Sequence, residues 1–247
     1  MTSETAKLLK DLAAKYETTE FLNGDPSWYM HQVKGDENQE TLAFIASCLS
    51  YGSRKQFMPK IGQLLEWSGG ETHKWVKEGG FNEHLCCDDK GCFYRLYNCS
   101  CMHSFLTAYR EMLLQFRTMG EYVRHNATDT LSAIEAICHW FSTHGSQGVV
   151  PKDTTSACKR VCMFLRWMVR DNSPVDLGLW ANFIDKRTLI MPLDTHVLTE
   201  SKRLGLTASR TASMTAAIKL TDTLATVFPD DPLKGDFALF GYGVNIQ

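Results

Sequence analysis

The sequence predicts an all-α protein, chiefly from its hydrophobic periodicity. Apolar residues recur at three- and four-residue intervals along most of the chain, and no pair of segments alternates apolar and polar residues as paired strands do. Of the 247 residues, 44% are hydrophobic and 22% are charged, enough to bury the core of one large domain or of two lobes. We expect a single two-lobed helical domain over residues 1–247, with residues 36–140 in one lobe and residues 1–35 and 141–247 in the other.

Helices are predicted where the periodicity is bounded by capping residues, glycine or proline. In chain order they are Glu4 to Tyr16, Asn38 to Cys48, Arg54 to Trp67, Glu71 to Lys77, Ser100 to Gln115, Thr128 to Phe141, Ser156 to Val169, Asp176 to Trp180, Thr195 to Leu204, Ser209 to Val227 and Lys234 to Tyr242. The glycine-rich breaks between them are short, so no disordered linker and no strand longer than a few residues is expected.

The first informative segment runs from Leu42 to Leu65. An apolar helix is followed by the break Tyr51-Gly52-Ser53 and by a second helix that Arg54 and Lys55 open. Gly52 suits the left-handed end of the first helix. Taken alone, this is the pattern of an ordinary corner between two helices.

Cysteine use indicates a reduced compartment. The count of nine is odd, and several cysteines fall in helical patterns, so free thiols are expected rather than a disulfide framework. A cluster of five comprises Cys86, Cys87, Cys92, Cys99 and Cys101. It contains no CxxC pair of the kind that structural zinc prefers, so no metal and no cofactor is expected; a metal site completed by His84 or His103 is the alternative.

Charge and hydropathy limit the partners. The net charge of −2 is unusual for a nucleic-acid-binding protein, but residues 151–210 carry ten Lys or Arg against six acidic residues, so an anionic ligand is expected in that region. There is no run of about 18 apolar residues and no apolar leader at the N-terminus, so we expect a cytoplasmic protein without a membrane span. The sequence does not determine the oligomeric state.

The segment from Ser156 to Arg170 predicts a helix with two different faces. Its apolar face carries Ala157, Val161, Phe164, Leu165 and Met168, and the opposite face carries Lys159, Met163, Arg166 and Arg170. Thr154, Thr155 or Ser156 is expected to cap the helix, which places Lys159 near its first turn. Two interpretations remain: the cations form the solvated stripe of an amphipathic surface helix, or Lys159 is a nucleophile beside other cations.

The segment Met191-Pro192-Leu193-Asp194-Thr195-His196-Val197, followed by Arg203 to Leu206, predicts a short helix with clear ends. Asp194 is placed to cap its N-terminus, and Gly205 supplies the left-handed stop. A capping role alone explains an aspartate at this position; the alternative is a catalytic carboxylate. His196 is either a phosphate partner or a partly buried structural residue.

Taken together, these segments resemble the helix-hairpin-helix DNA glycosylases, the superfamily of endonuclease III and 8-oxoguanine glycosylase, and within it a bacterial family of unknown function. In the lysine-using members, the nucleophilic lysine starts a helix after the hairpin and an aspartate heads the next long helix. Lys159 and Asp194 occupy these positions in that order. Their separation of 35 residues is similar to that in the archaeal 8-oxoguanine glycosylases.

The resemblance implies a DNA base-excision repair glycosylase with AP-lyase activity that acts on a damaged base, such as an oxidised purine, in duplex DNA. Lys159 and Asp194 would be its catalytic pair. The break between the first two helices faces DNA in that superfamily, so Tyr51 and Ser53 correspond to the residue that fills the hole left by an everted base. The other implied DNA contacts are Arg54, Lys152, Thr155, Arg166, Arg170 and His196.

One departure favours a different function. The usual hairpin carries glycines whose amides approach a phosphate, but the matching stretch from Pro151 to Lys159 has none, leaving Lys152 and the hydroxyls of Thr154 to Ser156 for that task. With the overall acidity, this supports the alternative of a non-catalytic nucleic-acid-binding or scaffold protein that keeps the glycosylase fold.

Overall fold

A computed structural model describes residues 1–146 and 148–246, with side chains described up to Gly243. Its helical content confirms the all-α prediction. Over the described residues there are eleven α-helices: α1 Ser3–Tyr16, α2 Asp36–Leu49, α3 Arg54–Trp67, α4 Thr72–Glu78, α5 Cys99–Phe116, α6 Met119–Asn126, α7 Thr130–Thr143, α8 Lys159–Val169, α9 Thr195–Arg203, α10 Met214–Ala225 and α11 Lys234–Ile246. A two-stranded antiparallel sheet joins β1 Cys92–Tyr94 to β2 Tyr97–Asn98.

Short 3-10 helices complete the regular structure, at Thr19–Leu22, Pro26–His31, Gly80–Glu83 and Lys186–Thr188. No helix of the described chain is both long enough and apolar enough to cross a membrane.

The chain forms two compact units. The first comprises Met1–Asn23, Asp129–Leu131 and the chain from Thr154 onward, and the second comprises Gly24–Thr128 and Ser132–Asp153. In the first unit, α1 and α9 pack against α11. The rings of Tyr16 and Phe240 lie 5.9 Å apart, and Gly241 faces the Tyr16 ring where a side chain would collide with it. Gly241 therefore permits the close contact between α1 and α11.

The second unit is built around α2. Its residues from Glu40 to Leu49 are all buried, which explains why this segment is apolar on every side rather than on one face. The ring of Phe44 lies 5.2 Å from the rings of both Tyr109 and Phe141 and 5.8 Å from that of Phe105. This aromatic cluster joins α2, α5 and α7 in one core.

The helices α8 and α10 begin later than the sequence predicts, and the two delays have one cause. The segments before α8 and α10 meet in an isolated antiparallel bridge between Ser156 and Ser213. Ser213 then caps α10 by accepting a hydrogen bond from the amide of Ala216 at 3.2 Å. Ser156 and Ser213 are far apart in sequence, so the local pattern that predicts helix at these positions gives no sign of the bridge that forms there instead.

The prediction of a helix from Asp176 to Trp180 is wrong. The amides of Leu177 and Gly178 donate to the carbonyl of Trp167, and the amide of Trp180 donates to the carbonyl of Met168, at 2.7–3.2 Å. The segment therefore satisfies the open carbonyls at the end of α8 instead of forming its own helical bonds.

The helix α6 and the β-hairpin were not predicted. The Glu40 carboxylate accepts hydrogen bonds from the amides of Met119 and Gly120, at 2.7 and 3.1 Å, and so caps α6 from a distant helix. Local periodicity carries no signal of such a contact. The β-hairpin strands are too short to show alternation.

Candidate functional site

Asp194 caps α9, as the sequence predicts. Its backbone is extended, and its Oδ1 accepts hydrogen bonds from the amides of His196 and Val197, both at 2.9 Å. At the other end of the helix Gly205 has φ +68°, which confirms the predicted left-handed stop. The carboxylate is thus held in a fixed orientation by the helix that it caps.

The second oxygen of the same carboxylate faces Lys159. Asp194 Oδ2 lies 3.3 Å from Lys159 Nζ, and the two side chains are 31% and 33% exposed. One oxygen therefore serves the helix cap while the other forms an ion pair that solvent, or a ligand, can reach. The fold brings together two residues that are 35 positions apart in the sequence.

Lys159 is the first residue of α8. The prediction that Thr154, Thr155 or Ser156 caps this helix is wrong, because the N-cap residue is Cys158, which has φ +46° and makes no side-chain capping bond. Two helix N-termini, those of α8 and α9, consequently meet at the ion pair. Both contribute the positive end of a helix dipole, which favours an anion at this place, and Asp194 already occupies two amides of α9.

The expectation that the cations of α8 form one solvent-facing stripe is wrong. Arg166 and Arg170 are 4% and 1% exposed. Arg166 pairs with Asp176 and Asp236, and Arg170 pairs with Asp176, Asp231 and Glu17. Both guanidinium groups are therefore occupied by carboxylates of the same unit, in place of the DNA contacts that the resemblance implies for them.

The acidic partners of Arg170 stabilise its positive charge. Burial disfavours a charged guanidinium, but the hydrogen bonds to Asp231 and the charges of Asp176, Asp231 and Glu17 outweigh burial and raise the Arg170 pKa. The network fixes the C-terminal part of α8 to residues on either side of it in sequence. Its role in this unit is structural.

Other predicted contacts in the first unit lie at the surface. Thr155 and His196 are exposed, and His196 is the second residue of α9, separated from the cap by Thr195. In the second unit Lys152 is exposed as well.

Around the break between α2 and α3, Ser53 is exposed and precedes α3, while Arg54 opens that helix with its side chain 51% exposed and 3.4 Å from Asp25. Tyr51 is half-buried, with its ring 5.0 Å from that of Tyr94 and 5.1 Å from that of Tyr97. The β-hairpin thus covers Tyr51, one of the two residues that correspond, by the resemblance, to the residue that fills the hole left by an everted base.

The turn of this β-hairpin consists of Arg95 and Leu96, both exposed, which were not singled out in the sequence. A signal exists, because the stretch from Phe93 to Tyr97 places aromatic residues on either side of a two-residue turn, as short β-hairpins do.

The cysteines are all free thiols in the structure. Within the described residues, no group of three or more His, Cys, Asp or Glu side chains is arranged to hold a metal ion. His84 instead stacks on Trp67 with ring centroids 4.4 Å apart, and His103 hydrogen-bonds Asn82 at 2.8 Å.

A shallow cleft of about 450 Å³ lies near the C-terminal end of α8, lined by residues that include Val169, Asp171, Ile184 and Lys186. An ion pair between Asp171 and Lys186 occupies part of its wall. Neither Lys159 nor Asp194 lines this cleft. The cleft and the ion pair between these two residues are therefore separate features of the unit.

No curated protein and no solved structure is significantly similar to this chain. A family profile matches residues 25–245, a range that includes the capped helix α9, Lys159 with its ion pair and the β-hairpin. The chain therefore belongs to the family described as "Protein of unknown function (DUF2400)".

Proposed function

We propose that this protein is a DNA base-excision glycosylase with AP-lyase activity, in which Lys159 and Asp194 act on the sugar of a damaged nucleotide. The observation that carries the proposal is the 3.3 Å distance between Lys159 Nζ and Asp194 Oδ2. At this distance the carboxylate is within hydrogen-bond reach of the amine, as a base that removes the proton of a nucleophile must be. The order and helix positions of the two residues, and the helical fold, agree with the resemblance to the helix-hairpin-helix glycosylases.

The proposed reaction uses Lys159 as a nucleophile. With its proton removed, Nζ donates its electron pair to C1', and the bond between C1' and the base breaks, so the base leaves with that bonding pair and takes up a proton. Opening of the sugar ring moves the C1'–O4' electron pair to the oxygen, which is protonated, and leaves a protonated Schiff base. Loss of a C2' proton then expels the 3'-phosphate, which cuts the strand.

Asp194 supplies the second part of the chemistry. Its Oδ2 is positioned to accept a proton from Lys159 and to pass it to the departing base, and the carboxylate that this restores stabilises the positive charge that develops at the sugar. Because Oδ1 is held by two amides of α9, the carboxylate does not need to be reoriented for this task.

The surroundings suit a polyanionic substrate. The N-termini of α8 and α9 bring the positive ends of two helix dipoles to the pair, which favours a negatively charged ligand. Thr155 and His196 are exposed in the same unit and offer further polar contacts. A damaged base that is easily unpaired is the expected substrate, and an oxidised purine is the first candidate to test.

Borohydride trapping tests the proposal directly. The purified protein is incubated with duplex DNA that contains 8-oxoguanine, uracil or an abasic site, and hydride reduces any Schiff base to a stable secondary amine. We expect a covalent complex with the wild type that Lys159→Ala and Lys159→Arg both lose, since a guanidinium keeps the charge but is not a nucleophile. Lys202→Ala, on the exposed side of α9, is the matched control and retains the complex.

The alternative function is favoured by the overall charge of −2 and by the absence of glycines from the hairpin stretch. A non-catalytic DNA-binding or scaffold protein would keep the ion pair only for stability. The absence of a complex with all three substrates, together with equal DNA binding by the wild type and Lys159→Ala, would establish this alternative.

A further inference from the structure

The turn of the β-hairpin holds an unusual apolar side chain. Leu96 is 86% exposed, whereas the other exposed large hydrophobic residues of the described chain reach 55% at most. Its neighbour Arg95 is also exposed and has φ +50°. Exposing a leucine this far gives no stability to the folded unit, whereas a ligand that covers it would gain the free energy of burying it.

This turn is held rigidly. The amide of Leu96 donates a hydrogen bond to the Tyr51 hydroxyl at 3.3 Å, and the Tyr94 hydroxyl donates one to the carbonyl of Tyr51. Tyr51 also contacts the rings of Tyr94 and Tyr97. The β-hairpin is thereby fixed to the turn between α2 and α3, and little conformational entropy is lost when the turn binds a ligand.

A cation lies next to the leucine in the turn. The Arg95 guanidinium lies against the backbone of Gly52, which has φ +79° and no side chain to block it, and is 5.6 Å from the centroid of the Tyr51 ring. Exposed Arg54 and Lys55 follow Gly52 closely in the chain. The turn thus joins one protruding apolar side chain to Arg95, and Arg95 lies against the corner after which Arg54, paired with Asp25, and Lys55 follow.

We propose that the β-hairpin turn is a DNA-binding element, in which Leu96 inserts between two stacked bases and Arg95 contacts a neighbouring phosphate. An apolar wedge flanked by cations is the chemistry by which proteins unstack and kink a duplex. A protein partner would instead require a contiguous apolar patch of several hundred square ångströms, which a single leucine among charges does not provide. The inference deepens the proposed function and rests on its DNA substrate.

Fluorescence of 2-aminopurine measures the insertion. The probe is a duplex with a tetrahydrofuran abasic analogue and 2-aminopurine at the adjacent position, where unstacking of the fluorescent base raises its emission. We expect wild-type protein to raise the emission and Leu96→Ala to abolish the rise and weaken binding about tenfold, as removal of one buried leucine contact implies. Leu114→Ala, at a residue 55% exposed on α5, is the matched control and behaves as the wild type.

Salt dependence tests the arginine. Arg95→Gln is expected to lower the slope of the logarithm of the binding constant against the logarithm of salt concentration by about one, the value for one lost phosphate contact. Arg124→Gln, an exposed arginine at the end of α6 in the same unit, is expected to leave the slope unchanged.

The outcomes separate this inference from the proposed catalysis. Emission and affinity that depend on Leu96, with no borohydride complex, would support the DNA-binding element and refute the lyase. A Lys159-dependent complex formed by a Leu96→Ala protein that binds and unstacks DNA like the wild type would refute the element alone. The absence of DNA binding, or Leu96-dependent self-association in light scattering without DNA, would also overturn it.

Discussion

At the scale of single residues, Asp194 combines two roles that are usually discussed as alternatives. Its Oδ1 accepts hydrogen bonds from the amides of α9 and its Oδ2 faces Lys159, so a helix cap and one half of an ion pair coexist in one side chain. The cap is a local interaction and was predictable from the sequence. The second contact was not, because it depends on where the fold places α8.

Substitutions at Asp194 separate the two roles. Asparagine is as good an N-cap as aspartate but carries no charge, so Asp194→Asn should keep the wild-type free energy of unfolding and lower the yield of borohydride complex about a hundredfold or more. Asp194→Ala should lose the complex and about 1 kcal/mol of stability as well. Urea unfolding of both variants checks the difference; a stable Asp194→Asn protein with full complex formation would limit Asp194 to the cap.

At the scale of secondary structure elements, the two ends of α8 make different contacts. Its first residue, Lys159, is partly exposed beside Asp194, whereas Arg166 and Arg170 bind buried carboxylates near its C-terminal end. The pattern of apolar and charged residues in the sequence does not tell which cations face solvent. That distinction depends on acids at Glu17, Asp176, Asp231 and Asp236, which surround the helix only after folding.

Arg170→Met tests whether this network holds α8 in place. The substitution keeps similar bulk but leaves carboxylates without their cation in a buried site, which should lower the free energy of unfolding by about 3–5 kcal/mol. Arg187→Met removes an ion pair with Asp185 in which the arginine side chain is 65% exposed, and chemical denaturation should show almost no change. Similar denaturation midpoints for the two variants would contradict the structural role of Arg170.

At the scale of the whole molecule, the reactivity of each thiol should depend on how deeply the fold buries it. Cys86, Cys87 and Cys92 are exposed, Cys99 and Cys101 are intermediate, and Cys48, Cys138, Cys158 and Cys162 are buried. Burial also raises the pKa of Cys101 and Cys162, which leaves less of the reactive thiolate at each. Accessibility therefore predicts a stepwise reaction with a thiol reagent.

Titration with a chromogenic disulfide in the absence of reductant checks this order. The native protein should react rapidly at the three exposed cysteines and slowly at the two intermediate ones, and the four buried cysteines should react only after unfolding. Quantitative reaction of all nine cysteines in denaturant is expected for a protein of free thiols. A smaller total would indicate disulfides and contradict both the structure and the sequence-based expectation.

The sequence by itself determined the features that depend on neighbouring residues: the helical class, the bounds of α3, the cap at Asp194 and the stop at Gly205. These arise from interactions within about four positions, which periodicity and capping residues encode directly. Only the tertiary structure decided which charges are buried and which residues meet. The partners of Arg170 lie up to 153 positions away. Lys159 meets Asp194 because two helix N-termini converge, and Leu96 protrudes because Tyr51 supports a β-hairpin too short for its strands to show in the sequence.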